Sequence, residues 1–385
     1  MKIIGIICEY NPFHLGHRKQ IDSLRSRFGT DCGIVCLMSG NYVQRGMQAI
    51  FDKALRAKAA VLCGADLVLE LPVTYALSSA EGFAAGGVKI LSGFCDALSF
   101  GTETGTSHSL MHTAEALLSP AFSPALRREL ETGSSFPAAR QAAMEKIGAD
   151  GSLLTNPNDI LAVEYCKAIL AQNSSMEILP VLRQGGYHDT APDPENPSAT
   201  AVRKLILEAH DWKSCVPQET HDLFASAPIH SLSAGERAIL ARLRTMTDAE
   251  FEALPYGSEG LWRRLMHASR SCSTLEEILS ATKSKRYTRS RLDRMVMCAF
   301  LGISQSVLEQ PAPYTRVLAF NDIGKTILKQ AREQALLPHT GEAMDIPYWE
   351  LEQRCGDLYG LFAETSPDPP GQEGRRRIFY KERTF

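Results

Sequence analysis

Through its first half the chain alternates short apolar runs with stretches of helical period, and no other feature limits its fold so tightly. Ile3 to Cys8 is a β-branched run that reads as a buried strand. Leu15 to Arg27 has helical period. Gly33 to Met38 is a second buried strand, and Asp52 to Leu62 is a helix with Gly64 just past its end. Leu67 to Leu71, stopped by Pro72, is a third strand. Ala80 to Leu91 is a helix, and Ala97 to Phe100 is a fourth, short strand. Runs that are apolar at every position belong to strands covered on both faces. Strand and helix in alternation predict an α/β fold, a parallel sheet with crossover helices.

A helical insert is expected next, over Ser107 to Leu118, Ala125 to Leu130, Pro137 to Lys146 and Asp159 to Leu170. Ile178 to Leu182 returns to strand character. Gln184 to Pro197 is a long polar loop, and long loops of this kind are often functional. Ser198 or Thr200 can cap a helix that runs to about Glu208. Beyond Trp212 strand signals nearly vanish and helical period dominates, apart from a short mixed segment near Tyr314 to Phe320. We therefore expect two domains, residues 1–210 and a mainly helical 211–385. "GQEGRRR", Gly371 to Arg377, is expected to be mobile.

A chain of 385 residues, 44% of them hydrophobic, can build two cores. A net charge of -3 excludes a wholly basic nucleic-acid binder but leaves room for a local basic surface. The start of the chain has neither a transit-peptide face nor a small-residue cleavage site, and no apolar run reaches the ~20 residues of a membrane span. The ten cysteines form no C-x-x-C pair, so buried free thiols are expected rather than disulfides or a zinc site. These signs point to the cytoplasm and away from a membrane.

The chemistry gathers just beyond the first strand, at His14-Leu15-Gly16-His17. Ligands of a parallel α/β sheet bind past the carboxyl ends of the strands, at a topological switch point. Asn11 and Pro12 shape the turn there. Gly16 lets a ligand approach the backbone, and the helix start offers N–H groups to phosphate. His14 and His17 share a face of the first turn. Two imidazole donors there suit attack on the α-phosphate of a nucleoside triphosphate, because they can stabilise departing pyrophosphate. The plainer alternative is that both histidines only cap the helix or lie in a solvated turn. The loop Ser39 to Gly46, after the second strand and on the same edge, is a further candidate, with Asn41, Gln44 and Arg45 as its long polar groups. A solvated loop is its plainer reading. Glu70, at the end of the third strand, can act as a hydrogen-bond acceptor.

The segment His14-x-Gly-His17 resembles the signature of the nucleotidylyltransferase superfamily. "GIICEYNPFHLGHRKQI", "MSGNYVQRGMQAIFDKALRAKAAVLCGADLVLELP", "SAEGFAAGGVKIL", "SFGTE", "NPNDILAVEYCKAI", "RQGGYHD" and "SATAVRKLI" together resemble the tRNA(Met) cytidine acetate ligase family. The resemblance implies a Rossmann-like nucleotidylyltransferase domain followed by a helical one. It implies an enzyme that uses ATP, with its accompanying Mg2+, to convert acetate to acetyl-adenylate. The acetyl group then passes to N4 of the wobble cytidine in elongator tRNA(Met), giving N4-acetylcytidine.

By the same resemblance ATP would lie on Ile7, Cys8, Glu9, Tyr10, Asn11, Pro12, Phe13, His14, Leu15, Gly16, His17, Arg18, Lys19 and Gln20, and on Gly101, Asn158 and Arg183. Gly101 would let adenine or ribose approach, Asn158 would read an adenine edge or a ribose hydroxyl, and Arg183 would fork onto phosphate or carboxylate. Without the resemblance these three read as a turn glycine, a helix N-cap and a surface ion pair. Ser198 and Thr200, with Arg203 a turn on, resemble the superfamily's second, Ser/Thr-rich signature. Arg203 would stabilise pyrophosphate, and an ordinary capped helix is the alternative.

Two clusters remain. His108 and His112 have i, i+4 spacing, but Ser109 stands where a metalloprotease helix would carry Glu, so an exposed polar face is expected and no protein-held metal. Lys283, Lys285, Arg286, Arg289, Arg291 and Arg294 crowd around Tyr287. Such a patch suits RNA phosphates, with Tyr287 stacking on a base, although charge runs are usually solvated faces. Trp262-Arg263-Arg264 and Arg375-Arg376-Arg377 would extend it. Two other functions fit parts of the chain. One is a small-molecule adenylyltransferase acting on a mononucleotide or phosphopantetheine. The other is a tRNA-binding protein with a vestigial nucleotide site.

Overall fold

The computed structural model describes residues 1–182, 193, 196–310, 314–333, 348–366 and 368–382. Strand β1 (Ile3–Cys8), helix α1 (Leu15–Phe28), β2 (Gly33–Ser39), α2 (Lys53–Leu62), β3 (Leu67–Leu71), α3 (Ala80–Leu91) and β4 (Ala97–Thr102) alternate as the sequence predicts. The insert α4 (Ser107–Leu118), α5 (Phe122–Glu131), α6 (Phe136–Lys146) and α7 (Pro157–Ala171) leads to β5 (Glu177–Leu182) and α8 (Ala199–Leu207). Then come α9 (Leu232–Thr245), α10 (Asp248–Glu252), α11 (Leu261–Ser271), α12 (Leu275–Thr282) and α13 (Arg289–Leu301). The chain closes with β6 (Arg316–Asn321), α14 (Asp322–Glu333), α15 (Trp349–Tyr359), α16 (Gln372–Arg375) and β7 (Phe379–Lys381).

The seven strands form one sheet in the order β5-β4-β1-β2-β3-β6-β7. The first five in that order pair in parallel, and β6 runs antiparallel to β3. Ile4, Ile6, Ile34 and Cys36 face α1 and α2, whereas Ile7, Val35 and Leu37 face α3 and α7. Both faces are dry, which is why these strands read as continuous apolar runs. From β1 the chain steps outward to β2 and β3, then crosses back to lay β4 on the other side of β1. The carboxyl ends of β1 and β4 therefore flank the switch point where α/β sheets open a crevice.

Helices α9 to α13 and α15 pack around a second core that includes Phe251, Leu265, Ile278, Met295 and Phe362. Tyr42 and Val73, from the sheet half, are part of that core. Residue 46 is one point of close contact between the halves. The hairpin of Tyr42–Val43 and Met47–Gln48 turns at Gly46, at φ +80°, and a Cβ there would lie 2.2 Å from the backbone nitrogen of Arg294. Only glycine satisfies both conditions. Strands β6 and β7 return from the C-terminal half to the sheet, so a division at 210/211 separates strands that share one sheet.

The stretch Gly371 to Arg377 is not mobile as expected but docks through α16. Glu373 is buried; its Oε1 accepts from Lys53 and, at 2.5 Å, from Arg316. Lys53 also donates to Glu70 at 2.6 Å, and Arg376 pairs with Asp52 and Glu373. Arg376 is therefore committed inside the fold rather than extending a basic surface. All ten cysteines are free thiols, eight of them buried. Among the described residues no helix is long and apolar enough to cross a membrane.

Candidate active site

Past Cys8 the backbone turns sharply. Tyr10 sits at φ +43°, the Asn11–Pro12 peptide is cis, and His14 then caps α1. Burial fixes this turn from behind. The Tyr10 ring lies 4.8 Å from those of both Phe13 and His17. Arg56 on α2, fully buried, donates to the carbonyls of Phe51, Glu9, Ser39 and Gly40. It thereby ties the end of β1 to the end of β2. Asn11 Oδ1 accepts the N–H of Ile50 at 2.8 Å, which holds the turn against the loop after β2.

The two histidines form a reciprocal cap. His14 Nδ1 accepts the N–H of Gly16 at 3.1 Å, and His17 Nδ1 accepts the N–H of His14 at 3.2 Å. An acceptor Nδ1 places the proton of a neutral ring on Nε2. Each ring's donor is thus Nε2–H, and the rings stack with centroids 3.6 Å apart. The capping reading and the functional reading describe different nitrogens of the same side chains. Gly16 lies so close to His14 that a Cβ would come within 3.0 Å of its Cε1.

Across the gap, Ser198 caps α8 by accepting the N–H of Ala201 at 3.0 Å. Arg203 donates to the carbonyl of Asn11 at 2.7 Å and to Thr200 Oγ1 at 3.1 Å. This guanidinium is thereby held against the turn that carries the histidines. Between them opens a cleft of about 220 Å³. The first turns of α1, α7 and α8 all contribute to its wall, so three positive helix ends converge on it. Phe83, Phe100, Leu161 and Tyr165 form an apolar side. Burial raises the Cys8 thiol well above its usual range, so that wall holds a neutral thiol rather than a thiolate nucleophile.

Of the expected ATP residues, Ile7, Cys8, Glu9, Tyr10, Asn11, His14, His17, Gln20, Gly101, Asn158, Ser198, Thr200 and Arg203 line this cleft. Pro12, Phe13, Leu15, Gly16, Arg18 and Lys19 shape it from outside the lining; Arg18, for example, pairs with Asp22 and Glu219. Arg183 lies outside the described residues. Gln44 and Arg45 stand in the lining, and Gln44 is fixed by its N–H to Glu9 Oε1 at 2.8 Å. Glu70 is an acceptor in the buried charge network rather than part of the cleft. Arg56 and Glu103 were not singled out from sequence, since their partners are backbone carbonyls and a residue 55 positions away.

The basic cluster is more structural than its composition implies. The Tyr287 ring is buried and Arg291 covers it at 4.8 Å, so it is not open to stack on a base. Its hydroxyl donates to Glu259 at 2.8 Å. Arg289 forks onto Glu276, and Arg291 donates to the carbonyl of Tyr256 at 2.8 Å. Lys283, Lys285 and Arg286 are exposed, with Arg286 3.1 Å from Glu259. His108 and His112 are exposed, with ring centroids 6.3 Å apart.

A switch-point cleft with paired histidines and converging helix ends defines a nucleotidyl transferase, and the family model described as HIGH nucleotidyl transferase matches residues 1–372. Within that class, the chain belongs to the tRNA(Met) cytidine acetate ligase family. It is 35% identical to the tRNA(Met) cytidine acetate ligase of Alkaliphilus metalliredigens, over 97% of each chain. It is 33% identical to that of Acetivibrio thermocellus, over 88% of this chain and 87% of the other. The apo crystal structure of Thermotoga maritima TmcAL matches with a TM-score of 0.91 at 28% identity, covering 100% of both chains. A second form of that protein, bound with α-thio ATP, matches at 0.89.

Proposed function

We propose that this chain activates acetate with ATP and passes the acetyl group to N4 of the wobble cytidine of elongator tRNA(Met). A carboxylate oxygen of acetate attacks the α-phosphate, and pyrophosphate leaves. The cytidine amine then attacks the acetyl carbonyl, forming the C–N bond and releasing AMP. The observation that carries the reading is the pair of Nε2–H donors set by the reciprocal cap, with Arg203 held against the same turn, in a switch-point cleft. Both steps need alignment and neutralisation of growing negative charge, and fixed donors supply that without reorganising.

In this reading His14, His17 and Arg203 are the catalytic groups. Ser198, Thr200 and the first turn of α1 hold phosphates, while Gly101 and Asn158 meet the nucleoside; Arg183 joins them by resemblance. Magnesium enters with ATP as part of the substrate. Residues 1–210 form the catalytic part, consistent with every residue lining the cleft. Residues 211–385 carry most of the tRNA surface, with Lys283, Lys285 and Arg286 as its exposed cations. The names of the relatives and the ATP analogue bound by one of them support this assignment.

The test is incubation with ATP, labelled acetate and unmodified elongator tRNA(Met), followed by nuclease digestion. Label in N4-acetylcytidine is expected. Label that stays out of tRNA while a mononucleotide or phosphopantetheine is adenylylated would instead make this a small-molecule adenylyltransferase.

A further inference from the structure

Asn158, second residue of α7, lines the cleft, and its amide is held from behind. Glu103, just past the end of β4, accepts the side-chain Nδ2–H of Asn158 at 2.8 Å and its backbone N–H at 3.3 Å. The neighbouring Asp159 pins the same two elements. Its carboxylate accepts the backbone N–H of Glu103 at 2.7 Å and the hydroxyl of Thr104 at 2.7 Å. The start of α7 and the loop after β4 are thus tied together by these four hydrogen bonds.

An ionised carboxylate only accepts hydrogen bonds, whereas an amide has a donor end and an acceptor end. Asn158 must therefore turn its nitrogen to Glu103 and its oxygen away. The opposite flip would set Oδ1 against the Glu103 carboxylate. Leu161 and Tyr165 follow Asn158 at helical spacing and also line the cleft, and the Phe100 ring lies 5.4 Å from that of Tyr165. That wall is apolar, as the faces of a purine require. The cationic and N–H-rich wall, with His14 and Arg203, lies on α1 and α8.

We infer that Glu103 is a positioning residue for base selection: it locks the Asn158 amide so that Oδ1 accepts from the 6-amino group of adenine. Purines with a carbonyl at that position, hypoxanthine and guanine, present a second acceptor and are rejected. The inference rests on the reading that this cleft binds ATP.

Calorimetric titration of the intact protein with the magnesium salts of ATP, ITP and 2′-deoxy-ATP tests it without any acetyl transfer. The wild type is expected to bind ATP about tenfold tighter than ITP, the scale of one hydrogen bond made or opposed. In E103A no acceptor remains beside the amide, so Asn158 adopts either flip, and the preference falls to within about twofold. Thermal melting should fall only slightly, because Asp159 still bonds the backbone at position 103 when the side chain is gone. N158A, which removes the amide, should show the same loss of preference and covers the case in which E103A fails to fold. An ATP-to-ITP ratio that survives in either folded variant overturns the inference while leaving ATP binding intact. A wild-type penalty on 2′-deoxy-ATP rather than on ITP would move Asn158 to the ribose and overturn it as well. No ATP binding by the wild type would overturn the proposed function together with this inference.

Discussion

His14 does at a helix N-cap what serine or aspartate usually does, and the choice of histidine adds a second nitrogen on the side of the cleft. The two roles are separable by substitution. Asparagine offers an oxygen close to where Nδ1 sits and is a good cap, but has nothing at the position of Nε2. H14A should lose about 1 kcal/mol of stability and lower acetyl-adenylate formation about 10²- to 10³-fold. H14N should keep wild-type stability, measured by urea unfolding, with the same loss of rate. H17A should match H14A in rate and leave tRNA affinity unchanged. A fast H14N would reduce His14 to its capping job. The sequence displayed these histidines because three residues, a glycine and a helix start fix their relation. It hid Arg56 and Glu103, whose roles come from carbonyls and an amide brought near only by the fold.

At the level of elements the reading was legible wherever burial is two-sided. Continuous apolar runs located β1, β2 and β3, and caps and glycines located the helices between them. The basic run around Tyr287 shows the limit of composition. Its cations face Glu259 and Glu276, which lie 27 and 13 residues away on other elements, and a charge count cannot see them. Tyr287 reads as an RNA-stacking ring in sequence and as a buried ring under Arg291 in the structure. The exposed remainder, Lys283, Lys285 and Arg286, is a smaller surface than six cations suggest. The strand β7 is three residues long and pairs with β6 more than fifty residues earlier, so local pattern carried little trace of it.

The whole molecule is closed by charges. Glu373, from the last stretch of chain, meets Lys53 on α2 and Arg316 on β6, and so draws the C-terminal segment onto the sheet. Burial pushes its carboxyl up, but Lys53, Arg316 and Arg376 outweigh that and hold it well below the usual glutamate range. A carboxyl depressed in the folded state contributes stability above its unfolded value, about 4.3, and loses that contribution as pH falls below it. Removing one partner of a buried network is costly, so E373Q should lose about 3 kcal/mol at neutral pH. Glu352 works in the opposite sense, because burial and the nearby Glu70 raise it. The difference between wild type and E373Q isolates Glu373. Urea unfolding across pH should show that difference shrinking below about pH 4.3; a constant difference down to pH 3 would remove Glu373 from the acid response.

The central claim is that the paired-histidine cleft joins acetate to the α-phosphate of ATP. Acetate carrying 18O in both carboxylate oxygens follows that bond directly. If the carboxylate attacks the α-phosphate and the cytidine amine then takes the acetyl carbon, the bridging oxygen stays with the nucleotide. Mass spectrometry should then find one 18O in each AMP released, with pyrophosphate unlabelled. Unlabelled AMP, or label in inorganic phosphate with ADP as the nucleotide product, would contradict the account.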